Sequence, residues 1–168
     1  MQFESNSYET TLELGSRLAA ILQPGQVLAL YGDLGAGKTV LARGFARGLG
    51  ITEPVTSPTF TVAQEYHAPN GRWFYHLDMY RIDDERSAMA FGIEEYLFAP
   101  DAVTLVEWPE RIEKLLRGDN CFSLALTHVS EDTRTIDVPD ALAEQLLAGG
   151  LPEGLRVIPC EKDSSATE

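Results

Sequence analysis

The sequence predicts an α/β fold: a three-layer sandwich with a mostly parallel central sheet and an antiparallel hairpin portion. Three observations carry this. The run Val27-Leu28-Ala29-Leu30-Tyr31 is apolar at every position, and Ala102-Val103-Thr104-Leu105-Val106 nearly so, as strands covered on both faces of a parallel sheet are. Directly after the first run comes Gly32-Asp33-Leu34-Gly35-Ala36-Gly37-Lys38-Thr39 and then a helix-like segment. A G-x-x-x-x-G-K-T loop set between strand and helix is the context a phosphate-binding P-loop requires, so the fold is P-loop NTPase-like. The runs 61–66 and 73–77 flank Ala68-Pro69-Asn70-Gly71, and Asn-Gly after a proline signals a hairpin.

In chain order, a polar start leads to Ser7, which can cap a helix carrying Leu14, Leu18, Ile21 and Leu22 on one face. Pro24-Gly25 ends it, and Val27 to Tyr31 reads as the central strand. The helix from about Gly37 to Leu49 places Leu41, Phe45 and Leu49 on one stripe, with Gly50 as its C-cap. Its small residues Gly44 and Gly48 suggest close packing on the sheet. After the hairpin, Asp83-Asp84-Glu85-Arg86 opens a helical segment that Pro100 breaks off. A second apolar strand ends at Glu107-Trp108-Pro109, and Glu110 to Leu116 reads as a short helix stopped by Gly118. Runs 121–128 and 133–138 read as an antiparallel pair. A short helix over 141–147 and the run 155–158 follow, and the polar tail 161–168 reads as disordered. Residues 1–140 are thus expected to form the P-loop domain and 141–168 a C-terminal extension, partly disordered.

Composition narrows the function. The 168 residues are 44% hydrophobic, enough for a sizeable core, and carry 13 Lys plus Arg against 26 Asp plus Glu, a formal net charge of −13. That balance gives no general attraction to nucleic-acid phosphates or anionic membranes. The first residues show neither a basic nor an apolar targeting region, and no apolar run is long enough to span a bilayer, so a cytoplasmic location is expected. Cys121 and Cys160 stand far apart without ligand spacing and carry no assigned chemistry.

Several residues could carry chemistry. The loop glycines let successive N–H groups point into one concavity at the positive end of a helix. Lys38 would reach the β- and γ-phosphates, and the Thr39 hydroxyl would be a Mg²⁺ ligand. A P-loop needs a second acidic group at the end of a neighbouring apolar strand, and Glu107 fits. Trp108 beside it could stack, contact a partner or cap the core. In His76-Leu77-Asp78-Met79-Tyr80-Arg81, alternation puts His76, Asp78 and Tyr80 on one side of an extended segment. Asp78 could orient the attacking water or hold magnesium through a water; Arg81 could steady phosphate charge or a loop; the same face could also make hydrogen bonds and nothing more. Thr56-Ser57-Pro58-Thr59 lies where many such folds place a loop that senses the γ-phosphate.

The loop in its GDLGAGKT form, Ser57-Pro58-Thr59-Phe60, His76-Leu77-Asp78-Met79-Tyr80-Arg81, Phe91-Gly92-Ile93-Glu94-Glu95-Tyr96 and Glu107-Trp108 occur in this order. Together they resemble the bacterial TsaE (YjeE) family, the ATPase component of tRNA threonylcarbamoyladenosine biosynthesis, over roughly Ser7 to Val138. The resemblance implies a protein that binds ATP and Mg²⁺, turns over slowly alone, and works with the two synthase subunits that modify the adenosine next to the anticodon. It implies nucleotide contacts from Tyr8, Gly32, Leu34, Gly35, Ala36, Gly37, Lys38, Thr39, Val40, Trp108 and Arg134. It further implies metal contacts from Thr39 and Glu107, and Asp78 with Lys38 as catalytic residues. The segment 83–90 departs from the family pattern, and the chain beyond Asp140 exceeds the family core. A small-molecule P-loop kinase is the alternative, but it would need an arginine-rich lid, and the arginines here are scattered.

Overall fold

The computed structural model describes residues 1–58 and 60–159, in which β3 (Ala63–His67), β4 (Trp73–Asp78), β5 (Ala102–Glu107), β2 (Val27–Tyr31), β6 (Cys121–His128), β7 (Arg134–Asp137), β1 (Gln2–Ser5) and β8 (Leu155–Ile158) lie side by side in that order as one mixed sheet. Strand β2 (Val27–Tyr31) is central, as its apolar composition predicts; β5 (Ala102–Glu107) and β6 (Cys121–His128) run parallel to it on either side, and β4 (Trp73–Asp78) lies parallel to β5. The expected hairpin joins β3 (Ala63–His67) to β4.

Parallel pairing is confined to β4, β5, β2 and β6, so "mostly parallel" holds only for the sheet centre. The antiparallel portion is larger than one hairpin. Strand β7 (Arg134–Asp137) pairs with β6, and β1 (Gln2–Ser5) inserts between β7 and β8 (Leu155–Ile158), all antiparallel. The expected polar start is thus a strand. Phe3 and Ser5 face inward and are buried while Gln2 and Glu4 face outward, an alternation of four residues with a single large apolar side chain, too short to signal a strand.

Helices cover both faces. On one, α1 (Tyr8–Ile21), α2 (Lys38–Gly48) and α4 (Asp140–Ala148) bury Leu14, Leu18, Leu41, Phe45, Leu142 and Leu146 against Leu28, Leu30, Val103 and Leu105 of the sheet. On the other, α3 (Glu85–Phe91) and two 3-10 segments, Ile93–Glu95 and Pro109–Leu115, pack Ala88, Ile93 and Ile112 on Val27, Leu77 and Val106. Alternate residues of β2 and β5 therefore serve opposite layers, which is why both strands are apolar throughout.

Local signals account for the helix ends. The Ser7 hydroxyl accepts the Thr10 N–H at 3.0 Å and starts α1, and Gly50, with φ +80°, follows the end of α2. Gly44 and Gly48 pack closely on α1 and not on the sheet as expected. A Cβ on Gly44 would collide with the Leu12 carbonyl, one on Gly48 with that of Ser16, and one on Gly15 with that of Leu41. In the departing segment 83–90, Asp84 caps α3 by accepting the Ser87 N–H at 2.8 Å. The expected helix 110–116 is instead the 3-10 segment Pro109–Leu115, broken at Ile112 (φ −131°), whose side chain is fully buried. Burying Ile112 competes with helical continuity there and wins. The tail 161–168 and Cys160 lie outside the described residues, as does Thr59.

Candidate nucleotide and metal site

The carboxyl edge of the parallel strands, where open α/β sheets bind ligands, holds a cavity of about 400 Å³. Its floor is the loop 32–37 between β2 and α2. Gly32, Gly35 and Gly37 have φ of +145°, +81° and +107°, conformations open to glycine at little cost, and Gly37 begins α2 so that the first helical N–H groups face the cavity side. A side chain on Gly32 would also meet the Leu126 carbonyl at 2.5 Å.

Lys38 lies folded over this loop, 5% exposed. Its ammonium donates to the Gly32 carbonyl and, at 2.9 Å, to the Asp33 carbonyl, and sits 4.2 Å from the centre of the Trp108 ring. Burial pushes its pKa below the usual lysine value, while Glu107, Glu110, Asp78 and Asp33 pull it back up. Trp108 is set in the left-handed region (φ 57°, ψ 49°), which turns the chain sharply out of β5, and Tyr80 packs on it at 5.0 Å.

Two carboxylates stand beside the ammonium because β4 and β5 are in register with Asp78 opposite Glu107. Both are nearly buried, at 4% and 3% exposure. Asp78 accepts from the Ser57 hydroxyl at 2.5 Å and from the Tyr80 N–H at 2.9 Å. Glu107 accepts from the Thr39 hydroxyl, 3.2 and 3.3 Å from its two oxygens, and from His76 Nε2 at 2.8 Å. His76 is fully buried, and its Nδ1 has no hydrogen-bond partner among the described residues.

Two carboxylates against one ammonium leave a negative centre that a bound divalent cation would neutralise. The donors beside the cavity are hard oxygens from Thr39, Glu107 and Asp78. Among the described residues no group of three or more His, Cys, Asp or Glu is placed to hold a metal. Such a site suits Mg²⁺, which takes one or two protein oxygens and completes its shell with water and phosphate, and does not suit zinc.

Of the sequence-derived residues, Leu34, Gly35, Gly37, Lys38, Thr39, Val40, Asp78, Glu107, Trp108 and Arg134 line the cavity. Gly32 contributes through its carbonyl, and Ala36 is buried in the core beneath the loop. Tyr8 lies in an adjoining groove of about 130 Å³ that shares Gly37, Val40 and Arg134 with the main cavity. Arg134 donates to the carbonyls of Ser130, Glu131 and Thr133 at 2.7–3.1 Å, so it shapes the loop between β6 and β7. Arg81 stacks on the exposed Phe60 ring at 4.6 Å, on the loop side of its two expected roles. Tyr80 lines the cavity from a turn beyond the end of β4 and not from the strand itself; the Asp78 carboxylate aims it by accepting its N–H. Alternation along β4 does place His76 with Asp78, but it could not have told that His76 reaches across to β5.

The model of the family described as Threonylcarbamoyl adenosine biosynthesis protein TsaE matches residues 5–136. The chain belongs to the TsaE family. Among curated relatives, the tRNA threonylcarbamoyladenosine biosynthesis protein TsaE of Bacillus subtilis (strain 168) is 43% identical over 128 residues, 76% of this chain and 78% of that protein. The protein of the same name from Treponema pallidum (strain Nichols) is 35% identical over 139 residues, 82% and 99% of the two chains. The crystal structure of Bacillus subtilis YdiB superposes with a TM-score of 0.69 at 34% identity, covering 88% of this chain and 92% of that one. The span matched to the TsaE family holds every cavity-lining residue named above, whereas α4 and β8 lie beyond it. No helix among the described residues of this TsaE-family chain is long and apolar enough to cross a membrane.

Proposed function

We propose that the chain is a Mg²⁺-dependent ATPase that supports formation of N6-threonylcarbamoyladenosine next to the tRNA anticodon, acting in the cytoplasm with the two synthase subunits. One observation carries the catalytic part of this reading: Lys38, the Thr39–Glu107 pair and the Ser57–Asp78 pair converge on one cavity at the carboxyl edge of the sheet. Family membership supports the tRNA part.

The loop N–H groups and Lys38 bind the β- and γ-phosphates, with Lys38 exchanging the Gly32 and Asp33 carbonyls for phosphate oxygens. Thr39 and Glu107 would hold Mg²⁺, which would neutralise charge on the phosphate oxygens. Asp78, oriented by Ser57 and the Tyr80 N–H, positions the attacking water and takes its proton. Trp108 and the groove beside Tyr8 and Arg134 receive the nucleoside end. The net charge of −13 suits a subunit that leaves tRNA contact to its partners.

Phosphate release from Mg²⁺·ATP should be slow for the purified chain and rise when the two synthase subunits are added. Transfer of phosphate to a small metabolite, or turnover indifferent to those subunits, would overturn the reading.

A further inference from the structure

We infer that His76 is a positioning residue for Glu107, presenting that carboxylate to the metal and so setting metal affinity at the site. The inference rests on the function proposed above. His76 lines no part of the cavity, yet its Nε2 lies 2.8 Å from Glu107 Oε1. A carboxylate only accepts, so Nε2 carries the proton and donates. Among the described residues, His76 and Thr39 are the side chains within hydrogen-bond distance of Glu107. Since Thr39 is itself assigned to the metal, His76 is the partner free to hold the carboxylate from behind.

The ring is held in turn. Phe74, two residues earlier on the same face of β4, lies nearly parallel to it, with centroids 6.1 Å apart and planes at 13°. With Nδ1 unpartnered, the imidazole satisfies one contact and forfeits the other. An aliphatic side chain would fill the same space without an orphaned nitrogen, so what the histidine adds here is its bond to Glu107. Groups that orient a metal-binding carboxylate or imidazole commonly change metal affinity 10- to 100-fold when removed.

The test titrates the full chain with Mn²⁺, an oxygen-site substitute for Mg²⁺, with ADP no more than equimolar to the chain, reading free Mn²⁺ by electron paramagnetic resonance against the same titration of ADP alone. ADP binding in EDTA is measured in parallel. His76→Leu should weaken Mn²⁺ binding about tenfold or more and leave metal-free ADP binding unchanged. His76→Gln, whose amide N–H can reach the place of Nε2, should restore it. Wild-type affinity for Mn²⁺ in His76→Leu would overturn the inference while leaving the proposed ATPase in place. A wild-type chain that binds ADP but no Mn²⁺ would overturn both. If His76→Leu does not fold, His76→Gln is compared with His76→Asn, which is polar but too short to reach Glu107. Equal Mn²⁺ affinities for those two would equally defeat the inference.

Discussion

Lys38 donates to two loop carbonyls and sits over the Trp108 ring, so under the proposed function phosphate oxygens would compete with contacts the side chain already makes. Charge-assisted hydrogen bonds contribute about 1.5–3 kcal/mol each. Lys38→Ala should therefore weaken ATP binding roughly 10- to 100-fold, measured by calorimetry. Asp78 differs in kind, since the proposed function gives it the attacking water and no phosphate contact, and Ser57 and the Tyr80 N–H hold it in place. Asp78→Asn should keep ATP affinity and lower partner-stimulated turnover by about 10²–10⁴-fold; turnover at the wild-type rate would remove Asp78 from the chemistry. The P-loop residues were legible because eight consecutive positions carry the whole pattern, and Glu107 because it ends an apolar strand. The bond from His76 to Glu107 was not, since it joins residues 31 positions apart whose meeting depends on strand register.

At the scale of elements, α2 is held between the P-loop and α1, and its seat on α1 is made by absent side chains. Gly15, Gly44 and Gly48 bring the two helix backbones close enough that a methyl group at any of them meets a carbonyl. Gly44→Ala should lower stability by about 1–3 kcal/mol as α2 is pushed off α1, read by urea denaturation, and should weaken nucleotide binding as well because α2 carries Lys38 and Thr39. Helix α3 depends on its cap. The Ser87 N–H and hydroxyl hold the Asp84 carboxyl below the usual carboxylate range. A carboxyl whose folded pKa is depressed stabilises the fold above its unfolded pKa and ceases to do so as pH falls through the folded one. The protection factors of the α3 amides, corrected for the intrinsic pH dependence of exchange, should therefore fall as pH drops below the ordinary aspartate range, and in Asp84→Asn that fall should be absent. The glycines were visible in the sequence, but their partner was not: spacing shows a small-residue stripe without saying whether a sheet or a helix lies against it.

Across the whole molecule, the sheet joins two regimes. Its parallel centre aligns the ends of β2, β4 and β5 at one edge and so assembles the site, while its antiparallel flank ties the first residues of the chain to the last strand described. Met1 N–H donates to the Val138 carbonyl at 2.9 Å, and β1 is paired on both sides, by β7 and β8. Deleting residues 155–168 would bare the β1 edge and should lower the melting temperature, while ATP affinity stays near wild type because β1 separates β8 from β7, whose Arg134 lines the main cavity. A truncated chain with an unchanged melting temperature would show that β8 adds no stability. The G-x-x-x-x-G-K-T loop, the two buried strands around it, the hairpin and the family were legible before any fold was known, because each rests on residues close together in the chain or on composition that one environment explains. Tertiary structure alone decided that β1 closes the sheet, that α2 leans on α1 through bare glycines, and that His76 stands behind Glu107. Those outcomes depend on which distant segments share a limited set of pairing and packing partners, a choice made by the free energy of the whole chain and written in no single stretch of it.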